Sequence, residues 1–143
     1  MNQGLWYSVD VVNIDKKKIA DIAQKHSLAL VVLFGSQATG YTHKKSDVDI
    51  GYLSSRKFDY RESYDITQSL APLFKNRDIE LVCLDNIAPD IQKSVAMHGV
   101  VLFEERNGIF ELFSLAAHRR YIETKPLRAY RLFFIKHFLR KYA

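Results

Sequence analysis

The sequence predicts an α/β (α+β) protein: a mixed sheet flanked by helices, with a helical extension at the C-terminus. Three observations carry this expectation. LALVVLF (28–34) is a short, continuous, β-branched apolar run of the kind that forms a strand covered on both faces. DVDIGYL (47–53) instead alternates strictly, which places Asp47, Asp49 and Gly51 on one face and Val48, Ile50 and Tyr52 on the other. Around these runs lie segments of helical period, so helices and strands interleave, and from Ile109 onward only helical patterns remain.

The elements follow in order. NIDKKKIADIAQKHS spaces Ile14, Ile19, Ile22 and Ala23 as a helix does, with Asn13 or Asp15 available to cap it. The strand 28–34 follows, then GSQATG as a turn or the first turn of a helix, then the strand 47–53. YRESYDITQSLAPLF (60–74) predicts a second helix whose last turn is ended or bent by Pro72. IELVCL (79–84) is a third strand, APDIQKSVAMHG a helix with Gly99 at its end, and VVLFE (100–104) a fourth strand. The final helical stretch is interrupted at Pro126, where a backbone donor is lost.

At 143 residues the chain fits one domain, 1–143, with a core at about 13–105 and the helical extension at about 109–143. A content of 48% apolar and 26% charged residues is that of a globular protein and not of a disordered one. No run approaches the length of a membrane-spanning helix, and the N-terminus has no signal-peptide pattern, so the expected location is the cytoplasm. Cys83 is the one cysteine, which leaves no intrachain disulfide and no cysteine-based zinc site; it is expected to be a small buried side chain. Of the five histidines, His43, His98 and His118 lie well apart, which suggests surface or cap positions rather than a metal cluster.

The net charge of +5 is unevenly spread. Residues 118–143 carry eight Lys or Arg against Glu123 alone, a balance of +7, whereas residues 1–117 come to −2. The basic tail suits RNA, an acidic protein partner, or simply a solvated helix face. Direct nucleic-acid binding is not the favoured reading.

The chemistry is concentrated in LFGSQATGYTHKKSDVDIGYL (33–53). Gly35 and Ser36 close a buried strand. A glycine there lets backbone approach a ligand, N–H groups at the start of a following helix suit phosphate, and Ser36 adds a hydroxyl. On its own, Gly-Ser after a strand is an ordinary turn. Asp47 and Asp49 look the same way, and like charges at that spacing repel unless water or a cation intervenes. On their own they are solvated acids on a strand edge; with a phosphate site beside them they suit Mg²⁺, which takes oxygen ligands and keeps positions open for substrate. Glu80 sits inside an apolar strand, where a buried and unpaired carboxylate is costly, so it faces either water or positive charge. If its strand lies beside 47–53, it becomes a third carboxylate; Asp78, on the same face, competes for that role. Lys44 and Lys45 can reach a triphosphate or remain solvated.

Gly35-Ser36, ten intervening residues and Asp47-Val48-Asp49 resemble the signature of the minimal nucleotidyltransferase (MNT) family of the DNA polymerase β superfamily. Glu80 matches its third acidic position, with Glu in place of the commoner Asp. The resemblance covers roughly residues 13–105. It implies a nucleotidyltransferase fold in which Gly35 and Ser36 hold ATP, and in which Asp47, Asp49 and Glu80 bind Mg²⁺, two ions roughly 3.5–4 Å apart. It further implies in-line attack of a hydroxyl on the α-phosphorus of ATP, with pyrophosphate leaving.

Short members of the family resemble antitoxins paired with HEPN ribonuclease toxins. The expected activity is therefore transfer of AMP from ATP to a tyrosine of a cognate HEPN toxin. An enzyme acting on a small, antibiotic-type alcohol and a non-catalytic antitoxin are the alternatives; the first is weakened because the chain has no large second domain to enclose a small substrate. In the tail, Leu127, Tyr130, Phe134 and Phe138 form one apolar line and Leu132, Ile135, Leu139 and Tyr142 another. That surface is expected to cover the sheet, with a partner groove as the alternative.

Overall fold

In the computed structural model, residues 13–35 and 47–142 are described. The elements run α1 (Lys16–Lys25), β1 (Leu28–Phe34), β2 (Val48–Ser54), α2 (Tyr60–Leu70) with a 3₁₀ turn at Ala71–Phe74, β3 (Ile79–Cys83), α3 (Pro89–His98), β4 (Val100–Glu104), α4 (Ile109–Glu123) and α5 (Lys125–Tyr142). This is the element order read from the sequence. The four strands are arranged β3-β2-β1-β4. β1 pairs antiparallel with β2 and β4, and β2 pairs parallel with β3, so the sheet is mixed.

Local chemistry explains the boundaries. Asp15 caps α1, its Oδ1 accepting from Lys17 N at 3.1 Å and Lys18 N at 3.2 Å. Asp59 does the same for α2 through Glu62 N at 2.8 Å. Pro72 lies in the 3₁₀ turn that tightens the end of α2, as its ring requires. Glu104 Oε1 accepts from Phe110 N at 2.8 Å and caps α4. The break before α5 falls at Thr124, and Pro126 then occupies the first turn of the new helix, where no backbone donor is needed. Gly99 does end α3, but with an extended backbone (φ −65°, ψ 146°) rather than a left-handed cap. Its missing side chain serves packing instead: a Cβ there would lie 2.5 Å from the Val95 carbonyl oxygen and 2.7 Å from Val32 Cγ1.

Two apolar layers sandwich the sheet. On one face Ile19 and Ala23 of α1, and Ile66 and Leu70 of α2, pack on Val31, Leu33, Val48 and Ile50. On the other, Val95 of α3 and Phe113 and Ala117 of α4 pack on Leu30 and Val32, with Leu84 alongside. β1 thus feeds both layers, which is why its sequence does not alternate. A register irregularity between Leu28 and Leu30 lets Leu28 join the same layer as Val31 and Leu33, a shift that a strict two-residue period would forbid.

Two expectations are corrected. Cys83 is only half-buried, because β3 is an edge strand with a neighbour on one side alone. α5 does not cover the sheet: none of its residues is buried, and both sheet faces are already occupied by α1 to α4. Among the described residues no helix is long and apolar enough to cross a membrane.

Candidate active site

β2 has Val48, Ile50 and Tyr52 on the α1/α2 face, so Asp49 and Gly51 point to the other. Farther along β2, α3 and α4 cover this second face with the layer that holds Leu53 and Leu84; Gly51 is buried there against the Leu84 side chain. The acids lie at the opposite end, where β1 terminates. There Asp49 is half-buried, and Asp47 and Glu80 are exposed.

Strand pairing brings the predicted acids together. In the parallel β2–β3 ladder, Asp49 lies directly opposite Glu80, and Val48 N donates to Asp78 O at 2.9 Å, which fixes that register. On the antiparallel side Asp49 lies opposite Phe34, the last residue of β1. Gly35 follows with φ +72°, a left-handed conformation that disfavours a side chain. Its Cα faces the Asp49 carboxylate so closely that a Cβ would stand 2.1 Å from Oδ2. Glycine is therefore demanded twice, by backbone conformation and by the acid beside it.

The electrostatics follow from this crowding. Burial, then the adjacent Glu80 carboxylate and a hydrogen bond with it, and finally the charge of Asp47, push the Asp49 pKa above its ordinary 3.8. A cluster of three acids in which one resists ionisation is the donor set a hard divalent cation would satisfy. Among the described residues no three His, Cys, Asp or Glu side chains stand together at metal-ligand distance.

Of the residues predicted for the site, Gly35, Asp47, Asp49 and Glu80 are gathered at one end of the sheet. Ser36, with Lys44 and Lys45, lies outside the described residues. Asp78 is exposed ahead of β3, and its carboxylate is not among the charges acting on Asp49. The part of the arrangement invisible in the sequence is the contact of Gly35 with Asp49, since it depends on which strands are neighbours.

A mixed sheet of this order, with three carboxylates beside the β1 terminus, belongs to a nucleotidyltransferase. Residues 17–107 match the model of the family described as Polymerase beta, Nucleotidyltransferase, and the chain belongs to that family. It is similar to the protein adenylyltransferase MntA of Aphanizomenon flos-aquae, 32% identical over 124 residues that cover 80% of this chain and 83% of the relative. It is similar also to the protein adenylyltransferase MntA of Shewanella oneidensis, 32% identical over 76 residues; that match spans 53% of this chain and about half, 54%, of the relative. Among solved structures, a crystal structure of a toxin–antitoxin with AMP-PNP superposes with a TM-score of 0.69 at 27% identity, covering 87% of this chain and 98% of the other. A crystal structure of the toxin–antitoxin MntA–HepT does so with a TM-score of 0.63 at 25% identity, covering 87% and 96%.

Proposed function

We propose that this chain is a protein adenylyltransferase antitoxin that transfers AMP from ATP to a tyrosine of a cognate HEPN toxin in the cytoplasm. The observation that carries the reading is the pairing of Asp49 with Glu80 across β2 and β3, with Asp47 beside them and Gly35 against the Asp49 carboxylate. Similarity to proteins named adenylyltransferase MntA, and to toxin–antitoxin structures of which one contains AMP-PNP, supports the substrate and the partner.

Asp47, Asp49 and Glu80 would hold Mg²⁺, as two ions, and the bound metal would neutralise the triphosphate and acidify the attacking hydroxyl. The chain's own contribution is positional. Gly35 brings backbone to the edge of the acid cluster without a side chain between them, and Ser36 offers its hydroxyl to the phosphates. The acceptor oxygen forms a bond to the α-phosphorus as the bond to pyrophosphate breaks, and Glu80 receives the proton that the hydroxyl loses.

The test is the intact mass of the candidate cognate HEPN toxin after incubation with this chain, ATP and Mg²⁺. A gain of whole AMP units, mapped to tyrosine, is the expected result. An unchanged mass, from enzyme that adenylylates another acceptor, would overturn it.

A further inference from the structure

Helix α5 is built for burial, yet the fold gives it no cover. Nine of its large apolar side chains are 42–69% exposed. A surface helix normally carries a single apolar stripe about 100° wide, and one apolar around more of its circumference is normally enclosed. At 3.6 residues per turn, the line through Phe134 and Phe138 and the line through Ile135 and Leu139 are centred about a third of a turn apart, so one flat surface cannot cover both. The helix is nevertheless tied to α4 through Arg128. Tyr121 of α4 carries the Lys93 ammonium 4.0 Å and the Arg128 guanidinium 3.7 Å from its ring centroid, and Arg128 Nη1 donates to Thr124 Oγ1 at 2.6 Å.

Charge selects the occupant. The +7 balance of residues 118–143 opposes a second copy of the same helix. Helical geometry places Arg131 between the two apolar lines, inside the arc that must be covered. A lipid surface that covered both lines would take that guanidinium to the deepest point of the buried arc, away from the headgroup phosphates, and phosphate on RNA would satisfy it while leaving the apolar lines in water. A protein cleft with apolar walls and a carboxylate on its floor satisfies both.

We propose that α5 inserts into such a two-walled, acid-floored cleft on the HEPN partner, with Arg131 paired to the carboxylate and Phe134 and Phe138 seated against one wall. This rests on the antitoxin reading above, and it assigns docking to an element that contributes nothing to the acid cluster.

The experiment measures affinity of the 143-residue chain for the candidate cognate HEPN toxin by calorimetry, alongside AMP transfer by the wild type. Phe134→Asp should weaken binding at least ~30-fold and Arg131→Glu at least ~10-fold, whereas Arg106→Glu, on an exposed turn away from α5, should bind as the wild type does. Both α5 positions are exposed, so thermal melts should match the wild type; Arg131→Glu decides the matter if Phe134→Asp does not fold. Wild-type transfer of AMP to the toxin, with undiminished binding by both α5 variants, would overturn the docking surface and leave the antitoxin reading standing. A wild type that neither binds nor modifies the toxin would overturn both. Self-association, or binding of anionic vesicles or an RNA oligonucleotide, that is lost in Phe134→Asp while toxin affinity is unchanged would assign the helix to that occupant instead.

Discussion

Gly35 and Asp49 are so placed that a single methyl group on the glycine would stand 2.1 Å from the aspartate Oδ2. The end of β1 and the acid of β2 are thus one unit: the backbone that leads toward the proposed phosphate-binding loop is packed on a carboxylate of the proposed cation site. Gly35→Ala should lower AMP transfer at least ~100-fold, the scale on which misplacing catalytic groups by an ångström acts. Fold stability should fall by at least about 1–2 kcal/mol, the cost of a non-glycine residue in the left-handed region, to which displacing the Asp49 side chain adds. Steady-state transfer and a denaturant melt check this, and an alanine variant with wild-type turnover would separate Gly35 from the site.

The crowding of Asp49 carries a thermodynamic prediction. Its folded pKa is raised, so the native state holds this proton to higher pH than the unfolded chain. The sign follows: stability falls as pH rises through the folded pKa, and the penalty is absent below the ordinary value of 3.8. At neutral pH Asp49→Asn should therefore melt no lower than the wild type in the absence of metal, and slightly higher, while losing transfer activity. Mg²⁺ at ten times its dissociation constant should stabilise the wild type by about 1.4 kcal/mol and the Asp47→Asn, Asp49→Asn double variant hardly at all. Equal metal-induced stabilisation of both proteins would show that the ion binds elsewhere.

Much of this was legible in the sequence because the relevant signals are local. Asp15 caps α1 as its position before an apolar-periodic run implies, and the alternation of 47–53 did predict which side chains of β2 face together. The three acids could be assembled from spacing once β3 was assumed to neighbour β2. What stayed hidden depends on contacts between distant segments. Cys83 has buried-type neighbours in sequence, yet lies on an edge strand, a property of sheet order. The apolar lines of α5 are as suitable for covering a sheet as for meeting a partner, and only the prior occupation of both faces by α1 to α4 excludes the first. His26 gave no signal at all: it is an ordinary-looking histidine after a helix, and it proves to be buried beside Glu62.

That last cluster gives an acid-stability prediction. Arg56 Nη1 donates to Glu62 Oε2 at 2.8 Å and Arg56 Nη2 to Oε1, while His26 Nδ1 lies 3.2 Å from Oε1. The hydrogen bonds from Arg56, then His26, hold the Glu62 pKa at about 2 against an ordinary 4.5. A depressed folded pKa stabilises the fold above the unfolded value, and the contribution is lost as pH falls from about 4.5 to about 2. Glu62→Gln should therefore melt below the wild type at pH 7, with the gap closing across that window. A gap independent of pH between 7 and 2 would assign the loss to packing rather than to the ionised carboxylate.

The register of β3 allows Glu80 and Asp78 to be told apart. Both have the parity that faces the acid cluster, but only Glu80 lies opposite Asp49 in the ladder and acts on its charge; Asp78 precedes the strand and contributes its backbone carbonyl to Val48 N at 2.9 Å. A side-chain substitution leaves that backbone bond intact. Glu80→Gln should consequently lose at least ~100-fold in AMP transfer, the lower end of what a general base contributes, and should also relieve the pressure on Asp49, so that its carboxyl titrates closer to the ordinary value. Asp78→Asn should change transfer less than ~3-fold, as expected of an exposed acid outside the reacting centre, and should leave the Asp49 titration where it was. Single-turnover transfer rates and carboxyl NMR titrations of the two variants read both effects. If Asp78→Asn were the inactive protein and Glu80→Gln the near-silent one, β3 would have to be shifted by two residues relative to β2, which would uncouple Asp49 from Glu80 and remove the third carboxylate from the proposed site.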